Sequence, residues 1–255
     1  MRTIGEILSY LAKLAPLETK LDFDNVGLLA GDPEWEVSTV LLSLDITSQV
    51  IREASALSAG LVISHHPLFF SLNSATPDNA GGKHTLELLT RRIGAICMHT
   101  NLDAANGGVN DALAKSLGLL DTQAFEPENI GRIGHLRKPM TLNAFLPVIC
   151  SALRCEGLRY TEGENPVFQV AVGGGSCGSM LEDAAASGAD TFVTADIKHD
   201  VFLRAAELGI NLIDAGHFHT ENVVIPVLAE YLSVGFPELT VRISAHTAPI
   251  RFFTA

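Results

Sequence analysis

Apolar, largely β-branched runs alternate along residues 1–120 with stretches whose apolar positions recur every three or four residues. The runs 39–46 (TVLLSLDI), 60–66 (GLVISHH) and 94–99 (GAICMH) read as strands buried on both faces. Helical spacing predicts helices near 47–58, 82–92 and 110–117. Ahead of them, Ile4, Ile7, Leu8, Leu11 and Leu14 form one helical stripe, with Thr3 and Glu6 as a capping box and Pro16 as the stop. After a less regular passage over 118–145, which carries EPENIGRIG and Pro139, the alternation resumes. Strands are predicted at 166–175, 189–196, 210–217 and 240–246, and helices at 179–188, 197–208 and near 220–233, the last kinked or restarted at Pro226.

Such alternation predicts an α/β fold with parallel strands covered by helices. The expected organisation is a first α/β lobe over 1–120, a second over 121–235, and a C-terminal strand within 236–255 that returns to the first lobe. In parallel sheets, ligands gather beyond the carboxyl ends of the strands, where several loops converge. His65, His66 and His99 fall at such ends.

Composition narrows the function. Apolar residues make up 47% of the 255-residue chain and charged ones 18%, as in an ordinary folded protein. A net charge of −12 without a Lys/Arg cluster argues against a nucleic-acid or anionic-lipid surface. No apolar run reaches membrane-spanning length, and Glu6 and Lys13 interrupt the N-terminal stretch that would otherwise resemble a targeting segment. Cys97, Cys150, Cys155 and Cys177 lack C-x-x-C spacing and sit in or beside apolar segments. They read as buried thiols of a reduced compartment, so a cytoplasmic protein is expected.

Two segments carry chemistry besides His65-His66-Pro67. HTNLDAANGGVNDAL (99–113) places His99 and Asp103 four residues apart, and DAGHFHTEN (214–222) does the same with His217 and Glu221. Imidazole and carboxylate together suit zinc, iron, manganese or nickel. A lone histidine at a strand end is commonly a hydrogen-bonded structural residue, but here three strand exits present His or Asp/Glu toward one expected edge. Neighbouring side chains on a regular strand point oppositely, so His65 and His66 are both used only if two ions sit side by side, with Asp103 and Glu221 bridging or sharing them. Pro67 holds His66 extended. A pair of divalent ions about 3.5–4 Å apart acidifies a water and clamps a developing oxyanion, which is hydrolytic chemistry.

DNVGL (24–28), SHHP (64–67), HTNLD (99–103) with GGVN (107–110), TADIKHD (194–200) and GHFHTE (216–221), in that order, resemble the motifs of the Nif-three-like dinuclear metal-centre family, many of whose members are labelled GTP cyclohydrolase 1 type 2 homologues. The similarity runs from about residue 4 to residue 250. It implies two divalent ions (Zn, Fe, Mn or Ni) held by His65, His66, Asp103, His217 and Glu221, with His99 lining the same cavity as the group for substrate contact or proton transfer. It further implies two interleaved three-layer α/β lobes with the metals in the cleft, and a ring-shaped homohexamer. The implied activity is a hydrolase of non-peptide C–N bonds, using a metal-bound hydroxide on a small, anionic, nucleotide-like substrate. A non-enzymatic metal-binding or regulatory scaffold is the competing class. His219 departs from the family pattern, as a sixth ligand, a proton shuttle or a solvated side chain.

Four weaker features stay open. VGGGSCGSM (172–180) is either a phosphate cradle or a tight turn with close helix packing. DFDNVGLLAGDP (22–33) is a calcium loop or a loop with a short strand and a turn, in which Asp24 or Asn25 contacts substrate or water. His199 lies in the cleft or on the surface, and Cys97 is a thiolate ligand or a core thiol.

Overall fold

The computed structural model describes residues 1–253. The chain forms a mixed α/β fold of two units, each built from two stretches: Met1–Asn106 with Ile225–His246, and Gly107–Val224 with the described residues from Thr247 onward.

In the first unit, the opening helix spans Ile4–Leu14 and buries Ile4, Ile7 and Leu11. Thr3 Oγ accepts from Glu6 N at 3.2 Å while Glu6 Oε2 accepts from Thr3 N at 2.8 Å, so the capping box is closed in both directions. Thr3→Ala is expected to lower stability by about 1 kcal/mol, read as a reduced urea midpoint at unchanged slope.

Five strands make the first unit's sheet, in the order Thr240–Ile243, Thr39–Ser43, Leu61–Ser64, Gly94–Cys97, Gly27–Ala30. The first four run parallel and the last is antiparallel. Every residue of Leu61–Ser64 and Gly94–Cys97 is buried, which is why these runs are apolar without alternation. Helices Ser48–Ala56 and Ala80–Thr90 follow their strands and bring Val50, Ile51, Ala54 and Leu88 into one core with Leu41, Val62 and Ala95. Parallel pairing puts the carboxyl ends of Thr39–Ser43, Leu61–Ser64 and Gly94–Cys97 on one edge, and Asp45, His65, His66 and His99 follow directly.

The second unit's six strands are ordered Leu120–Ala124, Arg132–Met140, Val167–Val172, Thr191–Thr194, Asn211–Asp214, Arg159–Thr161. The three from Val167 to Asp214 are parallel; the flanking ones are antiparallel. Helix Leu142–Leu153, capped by Thr141, packs Phe145 and Ile149 against Val170, Val193 and Ile213.

The passage 118–145 is therefore ordered, contrary to its irregular look. Leu120–Ala124 is exposed at every position and Arg132–Met140 ends in exposed Arg137, Lys138 and Pro139, so neither shows a period-2 pattern. Edge pairing alone makes Leu120–Ala124 a strand, whereas Arg132–Met140 lies between two strands and buries Ile133 and Leu136. Pro226 lies in the first turn of helix Val224–Gly235, where its missing N–H has no intrahelical acceptor to lose. Two short helices, Thr100–Ala104 and His217–Glu221, open just beyond the strands Gly94–Cys97 and Asn211–Asp214.

Candidate metal centre

In the first unit the ligand-capable atoms of His65, His66 and His99 all lie within 4.8 Å of one another. The His65 ring centroid is 5.1 Å from that of His66 and 5.1 Å from that of His99. His65 has no solvent exposure; the other two are half-buried. Asp103, on the short helix that opens after His99, brings Oδ1 to 3.6 Å from His65 Nε2.

Each imidazole is held from behind. His65 Nδ1 donates to the Met98 carbonyl at 2.9 Å, His66 Nδ1 to Asp45 Oδ1 at 2.7 Å and His99 Nδ1 to Asp24 Oδ1 at 2.8 Å. A carbonyl or carboxylate oxygen only accepts, so Nδ1 carries a proton, and Nε2 is the atom left for a ligand. Histidines that ligate metals are oriented by partners of this kind.

The second unit repeats the device. His217 Nδ1 donates to Asp196 Oδ2 at 2.7 Å, and His217 Nε2 stands 3.0 Å from Glu221 Oε2. Asp196 adopts a left-handed φ of +53°, which Asp tolerates better than most residues. The turn before His217 is set by Asp214, which accepts from Gly216 N and pairs with Arg159.

A metal fits this donor set. At His65–Asp103 and at His217–Glu221, an imidazole whose proton is committed elsewhere faces a carboxylate oxygen, and both are buried or half-buried. A divalent cation placed between two such atoms would find a ligand in each. The observed 3.6 and 3.0 Å bracket the separation of about 3.3 Å between N and O ligands on one tetrahedral ion.

The Gly-rich turn at 173–178 serves this second set structurally. Gly174 N donates to Asn110 Oδ1, Gly175 N to Thr220 Oγ1, Cys177 N to Thr194 Oγ1 and Gly173 N to Val193 O. With those N–H groups engaged inside the unit, the tight-turn reading stands. A Cβ on Gly175 would fall 2.1 Å from Glu221 Oε1, so the bare backbone is the wall against which that carboxylate rests.

Asp24 accepts from Thr100 N and Thr100 Oγ1 as well as from His99, so its carboxylate is turned inward as an orienting group rather than a calcium ligand. Burial raises its pKa, but the hydrogen bonds from His99 and Thr100 outweigh that and leave it well below the usual carboxylate range. Burial, helped by the charges of Asp24 and Asp103, pushes the Cys97 thiol well up, and its Sγ donates to the His65 carbonyl, as a neutral core thiol does. His199 is exposed at the start of helix His199–Leu208. His219 is half-buried, with Nδ1 on the Leu153 carbonyl at 3.3 Å, rather than simply solvated.

Asp45 and Asp196 escape sequence reasoning, although a signal exists. Each sits 21 residues before the histidine it holds and two residues past its own strand, in both units. A strand–helix–strand step of fixed length thus brings an acid and an imidazole to adjacent strand ends twice.

A sequence profile for Duf34/NIF3 (NGG1p interacting factor 3) matches residues 2–249. A Clostridium perfringens protein named GTP cyclohydrolase 1 type 2 homolog is 35% identical over 235 residues, covering 89% of this chain and 90% of its own length. The crystal structure of a Staphylococcus aureus hypothetical protein superposes with a TM-score of 0.90 at 29% identity, covering 98% of this chain and 99% of the other. That of a Bacillus cereus protein related to NIF3 gives 0.93 at 24% identity with 99% of both chains covered, a likeness of fold. Whole-chain sequence similarity and the shared fold lead to one conclusion: the chain belongs to the Duf34/NIF3 family.

Proposed function

We propose that this protein is a dinuclear metal-dependent hydrolase of small, anionic, nitrogen-ring substrates, nucleotides among them, acting in the cytoplasm as a homo-oligomer. The observation that carries the reading is the four imidazoles with Nδ1 committed to fixed acceptors, two of them set against a carboxylate oxygen. His65, His66 and Asp103 of the first unit would hold metal, as would His217 and Glu221 of the second. The relatives' name, GTP cyclohydrolase 1 type 2 homolog, supports ring-opening hydrolysis of a C–N bond. Two divalent ions held by these residues would supply Lewis acidity toward a substrate oxygen and toward water, and their positive charge would admit an anion to a chain of net charge −12.

His99 is the proton-handling group. Asp24 fixes its tautomer at Nδ1, so Nε2 is the atom that accepts a proton, and the ionised carboxylate stabilises the imidazolium that results. His65 and His66, held by Met98 O and Asp45, position rather than exchange protons.

Metal analysis of the protein loaded in turn with Zn, Fe, Mn and Ni, followed by assay against nucleotides and cyclic amides, tests this assignment. His65→Ala is expected to lose metal together with turnover. His99→Ala is expected to keep its metal and to lose turnover by about 10²- to 10⁴-fold. A metal-replete protein inert toward the whole panel would make the site a storage or scaffold centre instead.

A further inference from the structure

We propose that Phe23 and Phe70 form a stacking platform for a planar heteroaromatic ring of the substrate, beside His99. This platform presupposes the hydrolytic reading above and names the substrate class it takes.

Both phenyl rings lie open to solvent, at 65% and 55% exposure. Their centroids are 6.1 Å apart, and the Phe70 ring stands 5.9 Å from the His99 imidazole at 62°. A scattered exposed apolar residue needs no explanation. This pair differs in being adjacent and in being built in place.

The loops that carry the rings are tied to each other and to the His99 segment. Asn25 Nδ2 donates to Phe69 O at 2.9 Å, which joins the Phe23 loop to the Phe70 loop. Leu21 N donates to Thr100 Oγ1 at 2.9 Å, and Lys20 Nζ to Asp24 O at 2.6 Å. Asp24, the neighbour of Phe23, is the residue that orients His99. One loop therefore sets both the apolar ring and the proton-handling imidazole, and the Phe70 ring lies beside that imidazole. Aromatic faces bind a heterocycle through its π surface without demanding particular ring substituents. Any anionic part of the same molecule is left to the cations.

Calorimetric titration of metal-loaded protein with GTP and with inorganic triphosphate separates the ring from the charge. Wild type is expected to bind GTP at least about tenfold more tightly than triphosphate, and Phe23→Ala/Phe70→Ala to bring the two within about threefold. Triphosphate affinity and metal content should stay unchanged, and Phe23→Tyr/Phe70→Tyr should keep the preference. No preference in wild type, or a preference that survives the alanine pair, overturns the platform. A smaller particle in sedimentation as the alanine pair's only defect also overturns it, in favour of a subunit contact. GTP binding that needs both rings but leads to no turnover leaves the platform standing and removes the hydrolase. Turnover of a non-aromatic amide, indifferent to both rings, does the reverse.

Discussion

Gly175→Ala is expected to abolish the proposed metal binding at His217 and Glu221 while leaving the His65–His66 end able to bind. Residue 175 has a φ of +67°, and a Cβ there would lie 2.1 Å from Glu221 Oε1, 3.0 Å from Glu221 Cδ and 3.2 Å from His217 Nε2. The left-handed backbone alone costs an alanine about 1–2 kcal/mol. The overlap adds to this, because Glu221 is backed by Gly174, whose own Cβ would stand 3.3 Å from Glu221 Cγ. The carboxylate must swing away, and with it one ligand. Gly118 and Gly188 are the controls: both have positive φ, at +72° and +88°, with nothing within 4 Å of a Cβ. Alanine at either should show the backbone cost alone, with full metal binding. Elemental analysis and thermal melts of the three variants decide; a Gly175→Ala protein that matches the controls in both would sink the assignment of Glu221 as a ligand.

Asp24→Asn is expected to lower kcat by about 10²- to 10⁴-fold with metal content unchanged, the loss seen where an imidazole loses the carboxylate that fixes its tautomer. The amide also presents an N–H₂ group to the donors of Thr100, so part of the buried network is lost. Acid stability gives a second readout that needs no substrate. The folded pKa of Asp24 is depressed, so the native state holds fewer protons than the unfolded one. Its contribution is therefore complete above the ordinary carboxylate value of about 4 and is lost as pH falls below it. In metal-free protein, urea midpoints between about pH 5 and pH 3 should fall less in Asp24→Asn than in wild type. Parallel curves would mean that Asp24 is not the buried carboxylate that holds His99.

The two variants probe different layers of the centre, and those layers were unequally visible in the chain. The strands that carry the site were plain: Thr39–Ser43, Leu61–Ser64, Gly94–Cys97, Thr191–Thr194 and Asn211–Asp214 are almost wholly buried, so nearly every position must suit a core. Residues just beyond such runs sit at strand ends, which exposed His65, His66, His99 and His217 as candidates. Asp103 and Glu221 came with them through their four-residue spacing, one turn of the short helices Thr100–Ala104 and His217–Glu221. Leu120–Ala124 was invisible because an exposed strand advertises no burial pattern, and Arg132–Met140 because its buried start and exposed end do not alternate.

What the sequence determined alone was local: periodicity, caps such as Thr3 with Glu6, and the polar residues stationed at the mouths of apolar runs. Which nitrogen each histidine presents was decided only by the tertiary structure. Asp45 meets His66 and Asp196 meets His217 across neighbouring strands, 21 residues apart, while His99 finds Asp24 over 75. The same holds for the glycine turn, whose missing side chains have meaning only once Glu221 is seen against Gly175. Chain-local energies set the elements, but a proton's position on an imidazole depends on an acceptor within about 3 Å in space, wherever that acceptor lies along the chain.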